Sequence, residues 1–207
     1  MILEFMDSSI ALYNSLIVMG GPERPRLSGI CPEGPIEVEI GFGDGDYLIR
    51  KARENPDTTF IGIEQKPSLI TGVSKKAATM QVDNIRILQS SAKDAFCDLF
   101  APRSLSRVYA LFPDPWPKRK HIKYRLFSTD YLRLLNNRLI DEGEALIVTD
   151  SEKYAKWIVT QAVGTGFDIE YHTAPPQFNT RFERKWAGQG QNGFYQIHLK
   201  KTQHMDA

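Results

Sequence analysis

Cysteine and histidine are scarce in this chain of 207 residues. There are two cysteines, Cys31 and Cys97, and neither has a second cysteine at CxxC spacing. The four histidines are scattered over the second half of the chain. A disulfide framework needs several paired cysteines, and a zinc site needs clustered cysteine or histidine ligands. The sequence therefore predicts neither disulfides nor a bound metal.

A secretion signal and a membrane span are also missing from the pattern. The N-terminus, MILEFMDSSIALYNSLIVMGG, carries Glu4 and Asp7 and no early Lys or Arg. A signal peptide instead begins with a basic region and continues as an unbroken apolar one. The uncharged stretch 8–21 is too short to cross a bilayer. We therefore expect a cytoplasmic protein without a membrane partner.

Charge of one sign is not in excess either. Lys and Arg number 26 against 25 Asp and Glu, so the formal net charge is +1. Composition by itself does not point to nucleic acid, and any such partner must be met by a local basic patch. The hydrophobic fraction of 42% is sufficient for one sizeable core.

Strand-like and helix-like segments alternate from residue 36 onward. Apolar residues at helical spacing, such as Leu69, Val73 and Ala77, separate short runs that are typical of strands. The predicted strands are seven, at 36–40, 58–64, 84–88, 107–112, 144–149, 167–171 and 194–200. The alternation predicts an α/β fold, with a mostly parallel seven-stranded sheet, an antiparallel edge strand and helices on both faces.

The chain divides into three predicted regions. Residues 1–35 form an N-terminal segment that ends in the Gly- and Pro-rich loop GGPERPRLSGICPEGP. Residues 36–200 form the main domain, and residues 201–207 a C-terminal tail.

Ligands of open parallel sheets bind beyond the carboxyl ends of the strands. After the first predicted strand the sequence reads EIGFGDGD, in which Glu39 precedes Gly41, Gly43 and Gly45. Glycines allow a tight turn and a close approach of a ligand to the backbone. The spacing differs from the dinucleotide fingerprint GxGxxG, and an acid at that place would repel a pyrophosphate. A cationic ligand removes this objection, and the sulfonium and ammonium groups of S-adenosylmethionine suit Glu39.

Two further strand ends carry polar candidates. Glu64 closes the second strand, where an acid can accept hydrogen bonds from ribose hydroxyls. Ser91 follows the third strand and is a candidate for contacting an adenine, although it is equally well placed to cap the next helix. Because Glu64 occurs together with the glycine motif, we favour a ribose-binding role for it over the alternative of an ordinary strand-end carboxylate.

The stretch FPDPWPKRKHIKYR (112–125) follows the fourth strand. Prolines flank Asp114 and restrict the backbone, so its carboxylate is preset and needs little reorganisation during a reaction. Trp116 offers a flat face for stacking or for walling a pocket. The alternative is a rigid structural turn with a buried indole. Residues 118–125 include five Lys or Arg, which predicts contact with a polyanion such as RNA or DNA.

Two later segments have both a functional and a structural interpretation. Asp150 follows the fifth strand and is also a good candidate for capping the helix after it. The polar and basic segment 179–193, NTRFERKWAGQGQNG, either folds over the site or forms a mobile hairpin loop.

Together these motifs resemble the bacterial tRNA (guanine-N7-)-methyltransferase family. EIGFGDG, FIGIE, FPDPWPK with its basic run, TD (149–150) and TRFE (180–183) occur in the family's order over about residues 36–200. The FPDPWPK motif followed by basic residues is the most specific of them. The resemblance implies a Rossmann-like class I methyltransferase domain. It also implies methyl transfer from S-adenosylmethionine to N7 of the guanine at position 46 in the tRNA variable loop, with S-adenosylhomocysteine as the product.

The resemblance also assigns roles to single residues. Asp114 is predicted to be catalytic and to contact the cofactor. The predicted cofactor-binding residues are Glu39, Gly41, Gly43, Gly45, Glu64, Ser91 and Asp114. Substrate binding is predicted for Lys118, Asp150, Thr180, Arg181, Phe182 and Glu183. The implied partner is tRNA, and the protein is expected to be a monomer or a homodimer without a metal.

Two features depart from the family's usual pattern. Ser91 stands where the family usually has Asp or Asn, and the N-terminal segment lacks the family's Arg- and Thr-containing stretch. The alternatives are therefore a methyltransferase that acts on another RNA or on a small molecule, and a catalytically impaired RNA-binding homologue.

Overall fold

Short runs rich in Ile, Val and Leu assemble into one twisted sheet. The computed structural model describes residues 17–19 and 34–202 and contains eight strands within them. They are β1 (Ile17–Met19), β2 (Ile36–Ile40), β3 (Thr59–Glu64), β4 (Ile85–Gln89), β5 (Leu105–Leu111), β6 (Leu139–Thr149), β7 (Phe167–Ala174) and β8 (Phe194–Lys201). The predicted N-terminal segment and C-terminal tail lie largely outside the described residues.

The strand order is β1-β4-β3-β2-β5-β6-β8-β7. All neighbouring pairs from β1 to β6 are parallel, and β8 is antiparallel to both β6 and β7. The seven predicted strands correspond to β2–β8, which confirms the mostly parallel sheet with an antiparallel strand on its late side. The antiparallel strand β8 lies one position in from the edge, and β7 is the edge strand. The eighth strand, β1, pairs with β4, and its three residues are too few to show a strand pattern in the sequence.

Six α-helices connect the strands within the described residues. They are α1 (Asp46–Glu54), α2 (Pro67–Thr79), α3 (Ala92–Asp98), α4 (Thr129–Arg138), α5 (Glu152–Ala162) and α6 (Arg181–Ala187). A 3₁₀ helix, Arg119–Tyr124, lies between β5 and α4.

Helices cover both faces of the sheet, as predicted, because side chains of each strand alternate between the faces. Phe60 in β3 packs into a cluster with α1 and α2, and its neighbour Ile61 packs into a larger cluster with α3, α4 and α5. Both side chains are almost fully buried. The central parallel strands are therefore held from both sides, and their carboxyl ends form a fixed edge at which the loops begin.

Candidate active site

The carboxyl ends of β2 to β6 bring most of the predicted site residues to one edge of the sheet. Parallel pairing places Ile40 beside Ile63 and beside Ala110, so the glycine loop and the Asp114 loop leave adjacent strands. Backbone hydrogen bonds continue the strand pairing into the first residue of each loop. Gly41 donates to the Ile63 carbonyl at 2.8 Å, and Phe112 donates to the Val148 carbonyl at 2.8 Å.

The glycine loop between β2 and α1 requires glycine at its three motif positions. Gly41, Gly43 and Gly45 have φ values of 70°, 57° and 70°, a region that residues with a side chain rarely adopt. A Cβ at Gly41 or Gly43 would meet no atom within 4 Å, so the space beside these two residues is open to a ligand. A Cβ at Gly45 would lie 2.7 Å from the Val73 side chain of α2. Two glycines thus leave the loop accessible, and the third lets it pack against the domain.

Glu39 lies just before this loop and is buried. Its side chain is 3% exposed, and Oε2 is buried without a hydrogen bond among the described residues. Burial, followed by the charge of Asp44, raises the pKa of Glu39 well above its usual value, although Arg50 and the Leu48 amide oppose this. A buried carboxylate with an unsatisfied oxygen is costly, so this position suits a bound cation.

Glu64 and Ser91 occupy the next two strand ends. Oε1 of Glu64 accepts hydrogen bonds from the amides of Gln65 (2.8 Å) and Lys66 (3.1 Å), which fixes the carboxylate at the end of β3. Ser91 is the N-cap of α3: its Oγ accepts from the Asp94 amide at 3.1 Å and donates to the Asp94 carboxylate at 2.8 Å. The capping interpretation of Ser91 is therefore confirmed, and its contact with a cofactor stays a prediction.

The loop after β5 exposes Asp114 in a constrained backbone. Asp114 is exposed between Pro113 and Pro115. Phe112 and Trp116, on either side, have φ values of 60° and 43°, which are unusual for aromatic residues. Such backbone strain persists where the surrounding structure imposes it and is typical of functional sites. The prolines and the flanking residues thus hold the carboxylate outward.

The basic run forms the 3₁₀ helix and exposes its charges. Lys118 is the N-cap residue, and its carbonyl accepts from the His121 amide at 2.8 Å. No residue of this helix is buried. Trp116 is 36% exposed and packs against His121 and Tyr124, with ring centroids 5.6 and 5.4 Å away. The stretch therefore combines solvent-accessible cations with an aromatic cluster, and Trp116 is not the buried indole of the structural alternative.

Asp150 is not the cap of α5. Ser151 is the N-cap residue, and its Oγ accepts from the Tyr154 amide at 3.3 Å. The Ser151 amide in turn donates to Oγ1 of Thr149 at 3.2 Å. The capping interpretation of Asp150 was therefore wrong, and its half-buried carboxylate lies at the end of β6 without that structural task.

The segment 179–193 joins the antiparallel strands β7 and β8 and contains the helix α6, so it is not a loop throughout. Thr180 caps α6 by accepting from the Glu183 amide at 3.1 Å. Glu183 is 2% exposed, and its two oxygens accept from the amides of Gln177 (2.8 Å) and Asn179. In this arrangement Thr180 and Glu183 brace the loop, and substrate contact by either residue stays a prediction.

Phe182 and Arg181 are the outward residues of the TRFE motif. Both are exposed, and the Phe182 ring stacks on Phe112 at a centroid distance of 4.6 Å. Phe112 begins the Asp114 loop, so α6 contacts the loop directly. Direct substrate contact remains a prediction for Arg181 and Phe182, whose side chains have the required exposure.

Sequence reasoning missed the residues that attach α6 to the glycine loop. Asp46, the first residue of α1, accepts hydrogen bonds from Lys76 and, at 2.7 Å, from Arg184. Arg50 donates to the Phe178 carbonyl at 2.6 Å. Asp46 and Arg184 are separated by 138 positions, so no local pattern indicates that they meet.

The described residues contain neither a metal-binding cluster nor a membrane-spanning helix. Within residues 17–19 and 34–202, no group of three or more His, Cys, Asp or Glu side chains is arranged to hold a metal ion. The helices of this part of the chain are also too short or too polar to span a membrane.

Comparison with known proteins places the chain in a family. Residues 33–195 match a family model described as "Putative methyltransferase". A tRNA (guanine-N(7)-)-methyltransferase of Chlorobium phaeobacteroides is 56% identical over 98% of this chain and 99% of its own length. The chain belongs to the tRNA (guanine-N7-)-methyltransferase family. A tRNA (guanine-N(7)-)-methyltransferase of Thermotoga maritima is 33% identical to this chain. The matched region covers 77% of this chain and 52% of that relative.

Solved structures agree with the tRNA (guanine-N7-)-methyltransferase assignment at the level of the fold. The crystal structure of the 16S rRNA methyltransferase KamB is similar with a TM-score of 0.64, at 15% identity, over 82% of this chain and 88% of that one. The resemblance drawn from the motifs and the class I methyltransferase fold are therefore both confirmed.

Proposed function

We propose that this protein transfers a methyl group from S-adenosylmethionine to N7 of guanine 46 in the tRNA variable loop. The observation that carries the proposal is the pair of loops on the adjacent strands β2 and β5. One loop is open beside Gly41 and Gly43 and follows the buried Glu39, which has one partnerless oxygen, and the other loop exposes Asp114. Family membership supports the same reaction.

The residues present fit S-adenosylmethionine. This cofactor supplies an electrophilic methyl group on a sulfonium. Glu39 supplies a buried negative charge for its cationic methionine end, and Gly41 and Gly43 leave room for close approach. Glu64 is fixed by one oxygen, while no described group hydrogen-bonds the other, so it can accept from ribose hydroxyls. Ser91 lies where an adenine contact is proposed.

Methylation of guanine N7 needs no general base, because the N7 lone pair is free at neutral pH. The work of the protein is alignment and charge stabilisation, and alignment can supply about 7–11 kcal/mol of the barrier. Positive charge moves to the purine as the N7–methyl bond forms. We assign to Asp114 the stabilisation of that charge, because its carboxylate is exposed at the site edge on a constrained loop.

Guanine recognition is assigned to the same edge. The N1–H and amino groups of guanine are donors, and we assign the acceptor role to the exposed Asp114 and the half-buried Asp150. Trp116 or Phe182, each more than one-third exposed, offers a ring for stacking on a base. Such stacking is worth about 1–3 kcal/mol per base.

The tRNA backbone is assigned to the exposed cations beside these groups. Lys118 and the 3₁₀ helix follow the Asp114 loop, and Arg181 begins α6. Phosphate contacts position a nucleic acid without reading its sequence. A tRNA substrate also agrees with the predicted cytoplasmic location.

The decisive experiment incubates the purified protein with labelled S-adenosylmethionine and unmodified tRNA and maps the product. We expect label at N7 of the variable-loop guanine. Replacing Asp114 by Asn should lower kcat by about 10²-fold or more, the scale of losing one electrostatic stabiliser. Asp130→Asn is the matched control, because Asp130 is 97% exposed on α4.

The other outcomes identify the alternatives. Label elsewhere in tRNA or in another RNA would indicate a different substrate for the same chemistry. Cofactor and tRNA binding without turnover, across several tRNAs, would indicate an RNA-binding homologue that has lost catalysis.

A further inference from the structure

Arg125 holds the backbone of the Asp114 loop. It follows the 3₁₀ helix as its C-cap residue, and its guanidinium turns back towards the loop. Nε donates to the Pro115 carbonyl at 2.8 Å, and Nη2 lies 3.5 Å from the Trp116 carbonyl. Proline lacks an amide donor, so a loop rich in proline makes few bonds of its own. The side chain of Arg125 replaces part of that missing internal bonding.

The same guanidinium packs on helix α5. Its central carbon lies 5.2 Å from the ring centroid of Tyr154 and 4.9 Å from that of Trp157. The two rings stack on each other at 5.8 Å with an interplanar angle of 25°, and Tyr154 is fully buried. Cations over aromatic faces are attracted by the ring quadrupole. Arg125 is thus anchored to a rigid part of the core.

Asp114 and Arg125 both act electrostatically on Tyr154 and do not form an ion pair with each other. Burial raises the pKa of the Tyr154 hydroxyl, Arg125 opposes this shift and Asp114 adds to it, so both charges act at that hydroxyl. Within residues 34–202, no carboxylate lies at salt-bridge distance from Arg125. The guanidinium instead donates to backbone carbonyls and lies over two aromatic rings. The Asp114 carboxylate is therefore not used in an ion pair with Arg125.

We propose that Arg125 is a positioning residue that fixes Asp114 relative to Asp150. Helix α5 begins two residues after Asp150, and Arg125 joins that helix to the loop of Asp114. The two carboxylates assigned to guanine therefore sit on segments joined by one side chain. This inference rests on the proposed function. It requires arginine specifically, because lysine can neither stack its charged group as a plane nor donate in a fork.

The competing interpretation is that Arg125 is one more phosphate contact of the basic run. It is less exposed than Lys118, Arg119 and Lys120, and its Nε is already bonded within the protein. A phosphate contact would depend on charge, which lysine keeps, and would act on tRNA binding. A positioning role depends on the shape of the guanidinium and acts on the methyl-transfer step.

The test compares Arg125→Lys with Arg133→Lys, a matched change at an exposed arginine of α4. We expect Arg125→Lys to lower kcat by roughly 10–100-fold, the cost of a small misplacement, while the KM for tRNA changes less than about threefold. Arg133→Lys should match the wild type. A kcat within about twofold of that control, or a loss confined to the KM for tRNA, would overturn the proposal.

A second variant covers the case in which Arg125→Lys does not fold. Trp157→Leu keeps the arginine and removes one of the rings on which it lies. We again expect a lower kcat with little change in the KM for tRNA. A kcat close to that of the control, or a change in the KM for tRNA alone, would again contradict the proposal. The wild-type enzyme provides the separate check on the reaction. If the wild type methylates no guanine, the proposed function fails, whereas a wild type that works beside an unaffected Arg125→Lys overturns the positioning role alone.

Discussion

At the scale of single residues, the site contains two carboxylates in opposite surroundings. Glu39 is buried with a partnerless oxygen, and Asp114 is exposed on a constrained loop. Desolvation favours the neutral form of an acid, and exposure to water favours the charged form. The pair therefore separates into a buried group that gains from a bound cation and an exposed group at the edge of the site.

The raised pKa of Glu39 predicts how cofactor affinity depends on pH. A cationic ligand binds the ionised carboxylate, so below the raised pKa binding must expel a proton. Affinity for S-adenosylmethionine should therefore increase as pH rises through that pKa, by up to about tenfold per pH unit. Isothermal titration calorimetry at a series of pH values, from the ordinary glutamate pKa of about 4.3 upward, measures both the affinity and the proton release.

Glu39→Gln provides the comparison for this prediction. The amide has the same shape without charge, so the variant should bind weakly and lose the pH dependence. Glu37→Gln is the control in the same strand, where Glu37 accepts from the Tyr109 hydroxyl at 2.9 Å. If Glu39→Gln retains the wild-type pH profile, Glu39 does not contact the cationic end of the cofactor.

At the scale of elements, α6 joins the two loops of the site. Arg184 reaches Asp46 at the start of α1, and Phe182 stacks on Phe112 at the start of the Asp114 loop. Thr180 and Glu183 fix the approach to α6. A helix of seven residues is too short to be stable in isolation, so these contacts determine where it lies.

The contact between Asp46 and Arg184 can be loosened selectively. Asp46→Asn should increase amide hydrogen exchange in residues 178–187, as measured by mass spectrometry, and should lower methyl transfer severalfold. Lys76→Met is the control, because it removes the other partner of Asp46 and leaves Arg184 in place. Equal exchange in Asp46→Asn and Lys76→Met would show that the Arg184 contact does not hold α6.

Lowering the pH should also increase amide hydrogen exchange in residues 178–187 of the wild type. Burial raises the pKa of Asp46, but hydrogen bonds from Lys76 and Arg184 outweigh this and lower it overall. The contribution of Asp46 to stability is therefore present above the unfolded pKa of about 3.9 and is lost as pH falls through the lower folded value. Exchange in 178–187 should rise only below about pH 4.

At the scale of the whole molecule, the net charge conceals a local asymmetry. The formal charge is +1, yet the 3₁₀ helix and its N-cap carry Lys118, Arg119, Lys120 and Lys123 in exposed positions. Phosphate contacts release counterions, so affinity falls with salt in proportion to the contacts made. Binding of tRNA should therefore weaken steeply with salt despite the nearly neutral chain.

Replacing Lys118 and Arg119 by Met tests this patch. The slope of log affinity against log salt should decrease in magnitude by roughly 1–2, with kcat at saturating tRNA little changed. Fluorescence anisotropy with labelled tRNA measures the slope. Lys75→Met on α2 is the control for a lost surface charge. An unchanged slope in the double variant would exclude these two residues from phosphate contact.

Local sequence patterns were sufficient to predict the alternation of strands and helices and the order of the motifs. They also showed which strand ends are followed by glycines and which by acidic side chains. These are local properties: side-chain periodicity defines the elements, and parallel pairing brings residues that follow different strands to one edge. Glu39, Glu64 and Asp114 were predicted in this way, and the loop glycines were predicted by the turn that they permit.

The hydrogen-bond partners of the candidate side chains become visible in the three-dimensional structure alone. Ser91 and Glu183 are bonded within the protein, whereas Asp150 leaves capping to its neighbour Ser151. The contacts of Arg125 with Trp157, and of Arg184 with Asp46, join segments far apart in the chain. Such pairings depend on packing between segments that are distant in the sequence, so they cannot be predicted from the local spacing of residues.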